Sequence, residues 1–369
     1  MHGWEAAFRI AEHPNGFGSV VAQTRGIYLE VDDDGLAYNQ RQRERDAKIR
    51  RGRFVPPTTF SSDEAEPGGP LTFQPKPEDL IGILMSHFQC VQYEEVGAAG
   101  GIGTGTLTFI PIDESPDWTG TVWGTHNGLV ATVADVYSVE MDKIYGHNLQ
   151  TGANTNNGLA LYNAVCMRME FNQRLGEDLM VVAQMESVSG DPSASYGATY
   201  DPPAAAGSYS ADTRFVDWQG TITFSKDGTG TTLELQEVNH ILDNGQESRR
   251  SLGTKNRSRF PYSGRPIHEG NLQWEFDRTD ILDDIVNVGS FNIHSRWYTD
   301  DLHWMTIEHS HAVLKDQTPQ IPSGDSPVMV TQPFRAYPTS DGTPATILKV
   351  MTTFATSVFT FPYGEGTLI

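Results

Sequence analysis

Cysteine is almost missing from this chain. Cys90 and Cys166 are the two in 369 residues, and they lie far apart. Neither a disulfide framework nor a thiolate zinc site can be built from two such residues alone, so they read as small, half-buried side chains. Long apolar runs are missing too: no stretch approaches the roughly 18 consecutive apolar residues of a membrane-spanning helix. The opening MHGWEAAFRIAEH lacks a basic segment followed by an apolar one, so a secretory leader is not expected and synthesis in a cytoplasm is. Basic charge is scarce: 26 Lys and Arg stand against 47 Asp and Glu, giving −21 overall. The average surface therefore repels nucleic acid and acidic membranes. What is plentiful is glycine (36) and proline (21), hence turns, together with 38% hydrophobic residues, too many for a disordered chain. The length fits two domains.

Catalytic signatures are also lacking. The glycine run Gly97–Gly105 has no Lys-Ser/Thr after it and leads into a strand, the wrong context for a phosphate loop. There is no GxSxG, no HExxH and no Cys-His arrangement in a recognisable setting. His309-Ser310-His311 puts two imidazoles on one face of a strand, near His303 and Glu308, but spacing supplies no third metal ligand, so these histidines read as solvent-facing or interfacial. Acid pairs at Asp32–Asp34, Glu177-Asp178, Asp283-Asp284 and Asp300-Asp301 fall in turn or helix-start contexts where Asp is common anyway. The expectation is a protein that is not an enzyme and holds no cofactor or metal.

One phrase occurs twice. LTFQPKPEDLIGILMSHF starts at Leu71, and LQWEFDRTDILDDIVNV starts 201 positions later at Leu272. Leu71 matches Leu272, Phe73 matches Trp274 and Asp79 matches Asp280; Leu80/Ile281, Ile81/Leu282, Leu84/Ile285 and Met85/Val286 follow without a gap. Each copy reads as a strand entering one amphipathic helix, over 77–88 and 279–287, with acids in the first turn and apolar residues on one buried face. The defining core residues are Leu71, Phe73, Leu80, Leu84, Leu272, Trp274, Ile281 and Ile285. Around these helices the chain is mostly alternating runs bounded by turns. Ala164–Phe171, with Val165, Met167, Met169 and Phe171 on one face, turns at Gln173–Glu177 and returns as Leu179–Val188. Phe215–Phe224 and Thr231–Val238 form a second hairpin, and Val328–Tyr337 with Ile347–Phe354 a closing one. Such patterning predicts a mainly β protein of antiparallel sandwiches or barrels. The aperiodic, Ser/Gly/Ala/Pro-rich stretch after Ser189 predicts a linker over 191–212, dividing a first domain (1–190) from a second (213–369).

Each half also carries an Arg-rich loop. The first, 36–70, contains Arg41, Arg43, Arg45, Arg50, Arg51 and Arg53; the second, 244–269, contains Arg249, Arg250, Arg257 and Arg259. Both include R-x-R-F, at Arg51–Phe54 and Arg257–Phe260. Cationic arms on an acidic body seek acidic partners, and in a self-associating protein the partner is the next copy's acidic face.

With LTFQPKPEDLIGILM at Leu71–Met85, the run from Val136 to Ser187 (VYSVEMDK…LYNAVCMRMEFNQRLGEDLMVVAQMES) and a final hairpin after a long loop, the chain resembles the tail tube (major tail) proteins of long-tailed bacteriophages. The resemblance implies small β-sandwich or half-barrel domains, each with one flanking helix. Six such domains form a ring around a channel, and rings stack through long loops. DNA passes through the lumen without specific binding, and tape measure and tail-end proteins are further partners. It implies a virion structural subunit, and the ten arginines named above as ring-to-ring contacts. A duplicated domain makes three chains equivalent to six domains, hence a trimeric, pseudo-hexameric ring. The alternatives are another virion or cell-surface β protein, such as an adhesin or carbohydrate-binding module, and a β-sandwich enzyme.

Overall fold

The computed structural model describes residues 7–12, 27–44, 49–50, 53–54, 60–95, 105–111, 121–122, 138–145, 156–196, 214–215, 220–226, 229–232, 235–250, 257, 260, 264–275, 290–314, 329–340 and 342–352. The chain is mainly β, as the alternating pattern predicts. Its strands in the first half are β1 (Ala7–Glu12), β2 (Ile27–Leu29), β3 (Val31–Asp34), β4 (Ala37–Glu44), β5 (Ile49–Arg50), β6 (Arg53–Phe54), β7 (Phe60–Phe73), β8 (Cys90–Glu95), β9 (Gly105–Phe109), β10 (Thr121–Val122), β11 (Val139–Tyr145), β12 (Asn156–Arg174) and β13 (Met180–Tyr196). The second half adds β14 (Gly220–Lys226), β15 (Thr229–Thr232), β16 (Leu235–Asp243), β17 (Ile267–Glu275), β18 (Ser290–Asp300), β19 (His303–Leu314), β20 (Met329–Ala336) and β21 (Thr346–Thr352). Nineteen strands form one continuous, branched sheet, β5 and β6 form a separate pair, and the ladders are antiparallel.

The phrase at Leu71 becomes the end of β7 followed by the helix α1 (Pro77–Phe88). Pro77 sits in the first turn, where its missing N–H costs little. The helix ends at Gln89, whose left-handed backbone (φ 56°) lets its N–H reach Met85 O at 3.1 Å. A single buried face was expected; instead every residue from Pro77 to Phe88 is buried, Glu78, Asp79, Ser86 and His87 included. The reason is its position: α1 packs on β1, β11 and β12 and also on β19 and β21, strands from both halves of the sequence. Ser86 and His87 find partners there. Ser86 Oγ donates to Ile83 O (2.8 Å) and accepts from Cys166 N (3.2 Å), and His87 Nδ1 lies 3.1 Å from Cys166 O. The second helix, expected over 279–287 with Ile281 and Ile285, lies outside the described residues.

β12 and β13 form the longest hairpin, paired from Asn156↔Tyr196 to Asn172↔Met180. β13 thus continues six residues into the expected linker; the rest of that linker lies outside the described residues. A register shift between Cys166 and Arg168 reverses the faces of β12. Met169 and Phe171 therefore share the main core with Ala164 and Cys166, while Val165 and Met167 pack with Phe260 on the other side. The sequence expectation had placed all four of Val165, Met167, Met169 and Phe171 together; one extra residue in a ladder undoes a period of two.

The two halves are interlocked. β12 is shared between β11 (Asn157–Ala164) and, from the second half, β16 (Arg168–Arg174). The larger core contains Leu71, Phe73, Leu80 and Leu84 but also Trp297, Met305, Ile307 and Leu348. A smaller core belongs to the second half alone and holds Leu272 and Trp274 beside Phe291, Ile293 and Phe334. The closing hairpin also differs from expectation. β20 and β21 do not pair with each other: both bind β19, at Ala312–Leu314 and Trp304–His309 respectively. The tight turn between them, with Thr339 N donating to Thr343 O, changes position along one edge instead of reversing a ladder.

The 201-residue repeat reappears beyond the helix. In the β8–β9 hairpin, Gln92↔Thr108, Tyr93↔Leu107, Glu94↔Thr106 and Glu95↔Gly105 are partners. Moved by 201, these become Ile293↔His309, His294↔Glu308, Ser295↔Ile307 and Arg296↔Thr306, four rungs of the β18–β19 hairpin. The faces do not follow. Leu107 and Phe109 are buried, whereas in β19 the buried side belongs to Ile307 and His309. The halves share connection and register, and pack them differently.

Candidate assembly surface

The segment 36–70, expected as a loop, is a β-hairpin arm. β4 pairs with β7 from Ala37↔Gly68 to Glu44↔Phe60. At about 3.4 Å per residue its eight β4 residues span about 24 Å. Beyond it, Ile49↔Phe54 and Arg50↔Arg53 form a two-rung tip. Arg41 lies opposite Glu64 and Arg43 opposite Ser61; Arg45 and Arg51 fall outside the described residues. The pattern AYNQRQRE conceals this strand because it lacks an apolar face. A run without alternating apolar residues leaves no period of two in hydrophobicity to find. Among the described residues β4 bonds to no strand but β7, so its outer edge is open. The acids at Asp32–Asp34, expected to break a strand, lie in β3, which pairs with β7 beside the arm's base.

The second Arg-rich loop closes over the root of this arm. Arg257 Nη1 donates to Pro67 O (2.8 Å) and Ser187 O (3.1 Å), and its guanidinium lies 3.5 Å from Glu186. Arg250 Nη2 donates to Ala65 O (2.9 Å) and meets Glu66 at 3.4 Å. Phe260 fills the space against Val165 and Met167. The local sequence of β7, EAEPGGP, explains the need for these donors: Pro67 and Pro70 have no N–H, and Gly68 and Gly69 hold positive φ (143° and 145°). A Cβ at Gly69 would stand 2.1 Å from Gly35 O, so only glycine fits where the chain doubles back. Burial lowers the Arg257 pKa from its ordinary value, and Arg250 pushes the same way while Glu186 and Glu66 oppose them.

The ten arginines expected to act together thus divide. Arg250 and Arg257 are spent inside the chain, because the carbonyls of a proline-interrupted strand need donors. Arg249 is about half exposed and lies 3.7 Å from Glu247. Arg259 lies outside the described residues. Arg41, Arg43, Arg50 and Arg53 sit along the arm and at its tip. Replacing Arg257 by alanine is expected to cost about 1–3 kcal/mol, since two buried carbonyls lose their donor; urea denaturation checks it, and a cost below about 0.5 kcal/mol would refute the clamp.

The histidines expected to face solvent or an interface do not form one set. His303 accompanies Asp300 at the β18–β19 turn (2.8 Å), whereas His309 is fully buried against His240. Among the described residues no three His, Cys, Asp or Glu side chains converge to hold a metal ion. No described helix is long and apolar enough to cross a membrane. No protein-family model matches the chain, and no curated protein sequence matches it.

Proposed function

We propose that this chain is a non-catalytic structural subunit of a tail tube of the long-tailed phage type, assembling into stacked rings around a channel for DNA. The observation that carries the reading is the arm: a polar, arginine-bearing hairpin about 24 Å long, braced at its root and open along one edge. A brace of this kind fixes the direction of an arm before any partner arrives, which lowers the entropy lost on association. Among the described residues β4 and the short strands β2, β10 and β15 each pair with a single strand, and such edges offer ladders to neighbouring copies. The recurrence at 201 residues of the end of β7 and of the β8–β9 hairpin, as β17 and β18–β19, supports two tandem sandwich or half-barrel units per chain, and so three chains per ring. An excess of acid suits a lumen that DNA slides through, since duplex DNA carries about one charge per 1.7 Å.

Electron microscopy of the purified protein tests this reading: hollow tubes with a regular axial repeat are expected, and persistent monomers at high concentration would count decisively against it. The mass of isolated rings separates three chains from six. Changing Arg41, Arg43, Arg50 and Arg53 together to Glu is expected to abolish stacking. Fold stability should shift by less than about 1 kcal/mol, the range for substitutions away from a packed core. Normal polymerisation of that variant would remove the arm from the ring-to-ring contact. Salt should weaken stacking in the unaltered protein.

A further inference from the structure

Four histidines are buried where the two halves meet: His87 at the end of α1, His240 on β16, His268 on β17 and His309 on β19. Two of them form a chain of hydrogen bonds. His240 Nε2 lies 2.9 Å from Ser295 Oγ, His240 Nδ1 lies 3.0 Å from His309 Nε2, and His309 Nδ1 lies 2.8 Å from Thr346 Oγ1. With both rings neutral, each link has one hydrogen: Ser295 donates to His240, His240 to His309, and His309 to Thr346. One added proton is accommodated on His240 Nε2 if the Ser295 hydroxyl turns. A second sets two N–H groups against each other across 3.0 Å. The surroundings are apolar, with Phe334 5.9 Å from His240 and 5.1 Å from His309, and Trp297 6.2 Å from His240, centroid to centroid. His87 and His268 sit about the Phe88 ring, and among the described residues His87 Nε2 and His268 Nδ1 have no hydrogen-bond partner.

The charges that reach these rings are mostly each other's. His87 acts on His268, and both His240 and His268 act on His309. Asp243 acts on the Cys166 thiol, while Glu308, Arg296 and Lys349 act on His294, half-buried on the same hairpin. Among the described residues, no carboxylate is one of the groups acting on the four. Burial pushes His87 down to about 4, and His240 and His268 to about 3; it also places His309 well below its ordinary value, with His240 and His268 adding to the shift.

We propose that this histidine seam is an acid-triggered release that joins the halves at neutral pH and parts them on acidification, independently of assembly. The unfolded chain binds protons near pH 6.5, and the folded seam refuses them until far lower. Stability is therefore complete above about pH 6.5 and falls with pH from there towards the folded values, each histidine contributing a tenfold loss in the folding equilibrium per pH unit. Four together amount to about ten-thousand-fold per unit, a response set just below neutrality by the unperturbed pKa that histidine regains in the unfolded chain. Asp79 works in the opposite sense. Burial raises it to about 7, so its contribution is lost as pH rises, and it cannot be the source of acid lability.

Amide hydrogen exchange on the full chain at pH 7.5 and 5.0, corrected for intrinsic rates, provides the test. Protection is expected to fall at pH 5.0 in β16, β17, β19 and the end of α1, and to persist in β7, β12 and β13. Uniform loss, or none, would overturn the proposal. The double variant His240→Gln, His309→Gln stays neutral at every pH and should reduce the acid sensitivity to about a hundredfold per unit; unchanged sensitivity would also overturn it. Should that variant fail to fold, imidazole C–H resonances of the unaltered protein decide. Four of its eleven histidines should show no titration between pH 7.5 and 5.5 while the fold persists; ordinary titration of all eleven would end the proposal.

Discussion

Asp142→Ala is expected to destabilise the protein by about 3–5 kcal/mol, the range for breaking one side of a buried ion pair. Arg9 on β1 and Asp142 on β11 are direct cross-strand partners, and both are buried. Arg9 Nε donates to Asp142 Oδ2 at 2.8 Å, Nη2 donates to the same oxygen, and Glu140 stands 3.8 Å away, also buried. Removing Asp142 leaves the buried guanidinium with Glu140 at 3.8 Å, a separation that returns little of the lost interaction. The size of the effect comes from desolvation already incurred, not from the strength of the pair as such. The control is therefore Arg9→Met, Glu140→Gln and Asp142→Leu together, which removes the charges as a set and should cost far less than Asp142→Ala alone. Urea denaturation measures both. If the single change costs under 1 kcal/mol, or the triple change costs more than the single one, the buried-charge account fails.

That triad marks a limit on what the sequence discloses. In AFRIAE and VEMDKIY the polar positions alternate with apolar ones, the usual sign of a face turned to water. Nothing local reveals that both faces are covered, because the covering elements come from distant parts of the chain. The same reason accounts for α1. Its Leu and Ile positions announce a helix and one buried stripe, but Glu78, Asp79 and His87 become buried because second-half strands close over the other side. By contrast the β12–β13 hairpin was readable in position and partner, since its signal is local: two alternating runs and a turn. Only its faces escaped, through a register shift that has no signature in composition. The arm escaped for the opposite reason: the sequence of β4, AYNQRQRE, has no alternating apolar residues to announce a strand. The histidine seam was half readable. His309 drew attention, but as a solvent-facing or interfacial residue, and its partner His240 sits 69 positions away in a strand with no distinguishing pattern.

Trp297→Ala is expected to cost about 4–5 kcal/mol, at the upper end for core truncations, and to do so where the two halves meet. Trp297 belongs to β18, yet it is fully buried in the larger core with Phe73 and Leu84, and its Nε1 donates to Gln173 Oε1 of β12 at 2.5 Å. The truncation opens a cavity and strips Gln173 of a buried donor. Trp297→Phe keeps much of the volume and loses the donor, so it should cost about 1–3 kcal/mol. How the loss spreads is as informative as its size. If the interlocked core makes the chain one cooperative unit, exchange protection in β13 falls by the same free energy as protection in β19, although β13 is distant in sequence. If β13 keeps its protection while β18 and β19 lose theirs, the halves unfold separately and the ladder between β12 and β16 does not couple them. The second outcome is expected, because the acid response of the histidine seam requires β16, β17 and β19 to open while the β12–β13 ladder, paired from Asn156 to Asn172, stays closed.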